Sequence, residues 1–417
     1  MTFDLFKLHA IEDHPKTWIW VSMRSGYLNS ALLRHLPDNA QKQLSMEISS
    51  SLRCGSSTVE KHLIRLKNAH SHITLPLIIV DRLCTLLKIS RKRAINEMST
   101  LYCNADRTRK QVRALKRCTI EFSKIVGAFM ADGYMQRTGN SYKIKITDGE
   151  KTSIYAFAGW IGKAFDIQCR VYYEKSHNMW YCWFNNKIIG RYFEHILGIS
   201  PGHKTFIACR PRNISSISNK QAFTLGVLTF DGGVKTCGIV GFSSVSKALI
   251  SDVTEVLRRS GARFTCSYNA KRRFYALAST TGREEDQLRK WLQFLEPGTR
   301  KYDALQFIIS GGKRSIRELA ELFPRHHHAA VSLSDIYTIF GKKKRMNVKA
   351  LEENLRREGI KVSQTTLYKY LHLLCRAKLL NRTLAGKVAI YSRETSKLFI
   401  KCQSDAKLGE DNGHTIY

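Results

Sequence analysis

Two segments, IVGAFMADGYM (125–135) and FTLGVLTFDGGV (223–234), read as apolar helices that each carry an internal glycine and each end in Asp-Gly. Glycine inside a helix costs about 1 kcal/mol relative to alanine. A carboxylate at a helix C-terminus meets the negative end of the dipole, at about 0.3–1 kcal/mol. Both costs recur in one register: with Gly226 laid on Gly127, Asp231 falls on Asp132 and Gly232 on Gly133. A side chain missing at the same place in two helices lets their backbones touch. The spacing therefore predicts two helices crossing at Gly127 and Gly226, with Asp132 and Asp231 together at one end. Gly133 reads as the C-terminal stop of the first.

The repeat extends beyond the helices. Lys204, in FEHILGISPGHKTF, lies 72 residues after Asp132, and Lys301, in WLQFLEPGTRKYDAL, lies 70 after Asp231. Each lysine follows a helical stretch and a short Pro/Gly turn. SYKIKIT (141–147) alternates, with Tyr142, Ile144 and Ile146 on one face and Lys143, Lys145 and Thr147 on the other. CRVYYEKSHNMWYCWF (169–184) reads as a hairpin turning near His177 and Asn178, and RFTCSYNAKRRFYALAS (263–279) as one turning near Asn269. Asp-Gly is a common turn and lysine is abundant here, so either motif alone carries little. The parallel spacing is what predicts a tandem duplication over about 118–310, with halves of about 118–212 and 213–310.

The flanks are expected to be helical. SMEISSSLRCGSSTVEKHLIRLKN (45–68) reads as two helices around Gly55, with Val59, Leu63 and Leu66 on one face, as in a helix-turn-helix. LIIVDRLCTLLKISRKRAINEMSTLY (77–102) repeats this more weakly, and an ordinary helical hairpin reads equally well at both places. Residues 1–117 are thus expected to form a helical DNA-binding domain. In 311–417, two helices broken at Gly359 precede a hairpin turning at Gly386 in NRTLAGKVAIYSRE. Leu367, Tyr370, Leu371 and Leu374 form a core stripe, leaving Gln364, Thr365 and Lys369 outward, in a pattern similar to a winged helix. The whole reads as α+β.

Charge points to the partner. Lys and Arg total 68 against 34 Asp and Glu, a formal net charge of +34. Such self-repulsion opposes compaction and suits a polyanion, nucleic acid first. Lys143, Lys145, Arg170, Lys271, Arg272 and Arg273 are candidate DNA contacts on strands and hairpins, and KKKR (342–345) is a further phosphate-facing candidate. No apolar run reaches the ~18 residues of a membrane span, so a cytoplasmic, DNA-associated protein is expected. The 11 cysteines include no CxxC pair and read as reduced thiols, which argues against zinc. HHH (326–328) and His177 read as solvated loop residues. Of Trp180, Tyr181 and Trp183, at least two are expected in the core.

The motifs IVGAFMADG and TLGVLTFDG resemble those of the LAGLIDADG (dodecapeptide, DOD-type) homing endonucleases, in the double-motif, monomeric form. The segments around Lys204 and Lys301 are similar to the lysine-bearing blocks of intein-type members. The resemblance implies a pseudo-twofold pair of αββαββα halves. It further implies a strand saddle in the major groove of double-stranded DNA, with Asp132 and Asp231 as ligands of Mg²⁺ or another divalent cation. Lys204 and Lys301 would lie near the scissile phosphates. Met130 and Thr229 stand where an acidic residue is frequent, and Phe230 where a small one is usual, which predicts altered helix packing. An intein would need a nucleophile first and a terminal Asn after His, but the sequence opens MTF and closes DNGHTIY. A DNA-binding regulator that keeps the fold without cleavage is the alternative, and a role in RNA processing is a further one.

Overall fold

The computed structural model describes the chain except residues 1, 11–12, 36–39, 53, 104–110, 203–206, 281–283, 325–329, 343–344 and 394–417. Lys204, the three histidines at 326–328, and Lys343 and Lys344 of the 342–345 run therefore lie outside the described residues. Two compact units form, one from 1–234 with 239–302, the other from 235–238 with 303 onward.

In the first unit the chain runs through β1 (Ile19–Arg24), α1 (Gly26–His35), α2 (Ala40–Leu52), α3 (Ser56–Lys67) and β2 (His72–Pro76). It continues through α4 (Leu77–Leu86), α5 (Arg91–Glu97), β3 (Met98–Cys103) and β4 (Val112–Arg113). The α2–α3 hairpin has the expected core, with Val59, Leu63 and Leu66 fully buried. The expectation of an all-helical region does not hold, because β2-β1-β3-β4 form an antiparallel sheet. In it Val21 pairs with Leu75 on one side and Leu101 on the other. Strands of five or six residues are stabilised by partners some fifty and eighty positions away, which no local pattern announces.

The repeat follows. Its first half is α6 (Ile120–Asp132), β5 (Gly133–Thr138), β6 (Ser141–Asp148), α7 (Lys151–Phe165), β7 (Val171–Glu174), β8 (Met179–Asn185) and α8 (Lys187–Arg191), which runs into a π-helical turn at Tyr192–Ile196. The second is α9 (Ile217–Asp231), β9 (Gly232–Val234), β10 (Val240–Ser244), α10 (Lys247–Arg259), β11 (Phe264–Asn269), β12 (Phe274–Ser279) and α11 (Glu285–Leu292). α12 (Arg300–Ser310) follows, and the first unit ends within it. Both halves thus run helix, two strands, helix, two strands, helix. Their sheets, β5-β6-β8-β7 and β9-β10-β12-β11, have the same order. Side-chain caps start the two motif helices: Thr119 accepts from the Phe122 N–H and Ser216 from the Asn219 N–H.

α6 and α9 make the most extensive contact between elements among the described residues. A Cβ on Gly127 would overlap the Phe223 carbonyl, and one on Gly226 would overlap the Lys124 carbonyl. These contacts are reciprocal under one sequence offset, the signature of a local twofold relation. Gly127→Ala is accordingly expected to force the helices apart and cost about 1–3 kcal/mol, read as a lower urea midpoint. Gly133 and Gly232 end the helices for a reason other than a left-handed turn. Both are extended, at φ −79° and −70°, and a Cβ there would strike Phe129 or the Leu228 carbonyl. Phe230 does not disturb the pair, because it points away onto Phe157 and Trp160 of α7.

The second unit contains α13 (Ile316–Leu322), α14 (Leu333–Lys342), β13 (Arg345–Asn347), α15 (Val348–Arg357), α16 (Gln364–Arg376), β14 (Leu380–Ala385) and β15 (Val388–Arg393). The strands form an antiparallel sheet in the order β13-β15-β14. Gly359 (φ 77°) and Gly386 (φ 61°) occupy the left-handed region at the two expected turns.

Candidate active site and nucleic-acid interface

The two motif helices cross at Gly127 and Gly226, and each ends five residues later in an aspartate. Lys301, on α12, donates to the carbonyls of Thr229 at 2.7 Å and Phe230 at 2.6 Å in the last turn of α9. Its charge also acts on Asp148, at the end of β6, and Asp148 in turn feels Asp132. Asp132, at the end of α6, is exposed, and Asp231, at the end of α9, is half-buried. The end of α9, Lys301, Asp148 and Asp132 are thus linked by contact or charge, and each motif helix carries a carboxylate at its C-terminus. That arrangement is electrostatically unfavourable and asks for a cation.

Asp148 lies close enough to Asp132 to feel its charge and was not singled out from the sequence. Its Oδ1 accepts from the Glu150 N–H at 3.0 Å, while Oδ2 is buried without a hydrogen-bond partner. Burial raises its pKa to about 6; Lys301 opposes the rise, and Glu150 and Asp132 add to it. The signal was present in the strand register. Tyr142, Ile144 and Ile146 define the inward face of β6, and Asp148 is next on that face. Arg300 pairs with Glu150.

The pH consequence has a definite sign. A carboxyl raised from 3.8 to about 6 binds its proton more tightly in the folded chain than in the unfolded one. Its contribution to stability is therefore fully present below about pH 4 and is lost as pH rises to about 6, at a cost on the order of 3 kcal/mol. Asp148→Asn is expected to raise stability at pH 8 by roughly 1–3 kcal/mol and to leave stability at pH 4 nearly unchanged. Urea denaturation of both proteins between pH 4 and 8 checks this.

Lys301 lies elsewhere than at a solvent-facing phosphate site. It is 4% exposed, and its ammonium caps the carbonyl end of α9, an interaction worth up to about 2 kcal/mol in a partly buried geometry.

The outer face of the first sheet carries long side chains. Strand register places Tyr134, Gln136, Lys143, Lys145, Tyr172, Tyr181 and Trp183 on it. Lys143 lies 5.3 Å from the Trp183 ring centroid and Lys145 4.7 Å from that of Tyr181, while Tyr172 and Tyr181 stack at 5.3 Å. The expectation that two of Trp180, Tyr181 and Trp183 are core fails. None is fully buried, because β8 directs Tyr181 and Trp183 to the face opposite the helices. Arg170 is exposed before β7. His177 is exposed in its turn, 3.0 Å from Glu174. Lys271, Arg272 and Arg273 form the exposed tip of the β11–β12 hairpin, with Arg273 at φ 52°. In the second unit Gln364, Thr365 and Lys369 are exposed on α16, and Gln364 donates to Glu352 at 2.8 Å. Leu367, Leu371 and Leu374 are buried beneath them.

Among the described residues, no group of three or more His, Cys, Asp or Glu side chains forms a ready metal cage, and no helix is long and apolar enough to cross a membrane. Asp132 and Asp231 are oxygen donors, the type that hard divalent cations take. Such ions commonly take one or two carboxylates and complete their shell with water and phosphate oxygens.

No protein-family model matches the sequence, and no curated protein matches it. Among solved structures, the homing endonuclease I-DmoI in complex with DNA and Ca aligns at 17% identity, covering 45% of this chain and 96% of that one, with TM-score 0.35. The N-terminal LAGLIDADG domain of WhiA aligns at 12% identity over 49% of this chain and 88% of that one, with TM-score 0.30. The homing endonuclease I-WcaI bound to its DNA recognition sequence aligns at 11% identity over 44% and 85%, also at 0.30. At these scores the reading of the fold rests on the chain's own elements: two helix–strand–strand–helix–strand–strand–helix halves joined through α6 and α9.

Proposed function

We propose that the chain is a double-motif LAGLIDADG protein that binds a specific double-stranded DNA site and hydrolyses both strands with a divalent metal, Mg²⁺ or an equivalent. The observation that carries this reading is the reciprocal crossing of α6 and α9 at Gly127 and Gly226, which would bring Asp132 and Asp231 to one end. The two sheets would form the saddle over the duplex, and the net charge of +34 supplies long-range attraction to it.

In this reading Asp132 and Asp231 would hold the cation against the phosphates. The metal would activate water and neutralise charge on the phosphoryl oxygens. Asp148 and Glu150 add negative charge around that position, while Lys301 offsets the negative end of α9. Lys204, which follows Asp132 by 72 residues as Lys301 follows Asp231 by 70, is proposed as its counterpart in the first half. The α2–α3 hairpin and α16 are proposed as further DNA-binding helices, the latter in a winged-helix arrangement with β14–β15 as the wing and Gln364, Thr365 and Lys369 toward the duplex.

One observation favours a second reading, a regulator that binds without cutting: the Lys301 ammonium is committed to carbonyls and withdrawn from solvent. Incubating the full chain with a randomised duplex library separates the two. Retained duplexes cut in Mg²⁺ and intact in chelator support the nuclease, and retained duplexes that stay intact in every divalent metal support the regulator.

A further inference from the structure

The two sheets share one topology and differ sharply in what they present. Strand register puts Gly233, Gly241, Ser243, Thr265, Ser267, Ala276 and Ala278 on the outer face of the second sheet. The inward positions alternate with these, with Val240, Phe242 and Leu277 buried. Over the rows Gly241–Ala278–Thr265 and Ser243–Ala276–Ser267 this face bears no side chain longer than threonine, and Asn269 and Phe274 follow on it only in the last row before the hairpin tip. The first sheet bears Lys143, Lys145, Tyr181 and Trp183 at the corresponding positions on its central strands.

A B-form major groove is about 8.5 Å deep, so a sheet spanning it must reach down to meet base edges. Glycine, alanine and serine reach only a bond or two beyond the backbone, whereas lysine and tryptophan cross most of that depth. Basic charge in the second half is displaced to the hairpin tip, where Lys271, Arg272 and Arg273 are consecutive and exposed. A tip beyond the sheet edge meets phosphates. The corresponding tip of the first half, Lys175–Asn178, carries one basic residue beside Glu174 and His177.

The geometry points to a division of labour on the duplex: the first half reads bases through Lys143, Lys145, Tyr181 and Trp183, and the second half holds the phosphate backbone through Lys271, Arg272 and Arg273. The target would then carry sequence information mainly over one half-site. This rests on the duplex-binding reading above and goes beyond it by assigning specificity and affinity to different halves.

The test uses the full chain, a randomised duplex library and a salt titration of the selected site. All substituted residues are exposed or half-buried, and thermal denaturation of each variant checks the fold. The wild type is expected to select strong base preferences over one half-site and weak ones over the other. Lys143→Ala with Trp183→Ala is expected to flatten the strong half and lower the specific-to-nonspecific ratio by at least about tenfold. The triple variant Lys271→Ala, Arg272→Ala, Arg273→Ala is expected to weaken binding to all sequences alike. It should also reduce the log–log salt slope by about 2–3, leaving the selected sequence unchanged. Comparable information in both half-sites, or altered base preferences in the triple variant, would overturn the division of labour while leaving duplex binding intact. No retention of any duplex would overturn both readings.

Discussion

Asp132→Asn and Asp231→Asn are each expected to abolish metal-dependent double-strand cutting, lowering it by about 10³-fold or more, while duplex binding survives. The size follows from the role. Each carboxylate sits at the end of a motif helix, and losing one charged metal ligand removes several kcal/mol of stabilisation from the phosphoryl transition state. The same substitutions should not weaken the fold. Each removes a negative charge from a helix C-terminus, and Asp132→Asn also relieves Asp148 of a repulsive neighbour. Stability is expected to stay level or rise by about 0.3–1 kcal/mol per site. A variant that loses cutting and gains stability identifies a residue kept for chemistry. A variant that loses both would mark Asp132 or Asp231 as structural.

Asp13→Ala is expected to cost about 3–5 kcal/mol. Asp13 is buried with Arg191, which donates to both its carboxylate oxygens at 2.6 and 2.7 Å, and with Lys187 at 2.9 Å. Arg191 also donates to the Leu8 carbonyl and Lys187 to the Thr17 carbonyl. Burial alone would raise the Asp13 pKa, but Arg191 and Lys187 outweigh it and the value is lowered. Removing the carboxylate leaves two buried cations, 0% and 2% exposed, facing each other. The stabilisation is present at neutral pH and is lost as pH falls through the lowered folded value. Urea denaturation of Asp13→Ala at pH 7 checks the magnitude. A loss below about 1 kcal/mol would show that the cations find other partners.

The parts of the fold legible in the sequence are those where a residue type is locally costly or locally periodic. Gly127, Gly226, Asp132 and Asp231 stand out because helices disfavour them where they occur. The three hairpins stand out through alternation and turn residues, with Asn178 and Gly386 in the left-handed conformation the turns require. The N-terminal strands were hidden because Val21 depends on Leu75 and Leu101. Asp13 gave no local sign of its two cations, which lie more than 170 residues along the chain. Lys301 was legible as a repeat position, but its partners, the carbonyls at the end of α9, could be found only in three dimensions. The expectation that at least two of Trp180, Tyr181 and Trp183 lie in the core fails because it weighs apolar character above the register of Tyr181 and Trp183 with Thr147 and Lys145. Asp148 was readable as a carboxylate in the apolar register of β6, and its neighbours were not.

The measurement that bears most directly on the paired aspartates is cleavage and retention followed on the same duplexes, comparing wild type with Asp132→Asn and Asp231→Asn in Mg²⁺ and in chelator. Both strands should be cut only by wild type and only with metal, with all three proteins retaining the duplex equally. Specific retention without cutting by the wild type, at any divalent-metal concentration, would contradict the nuclease.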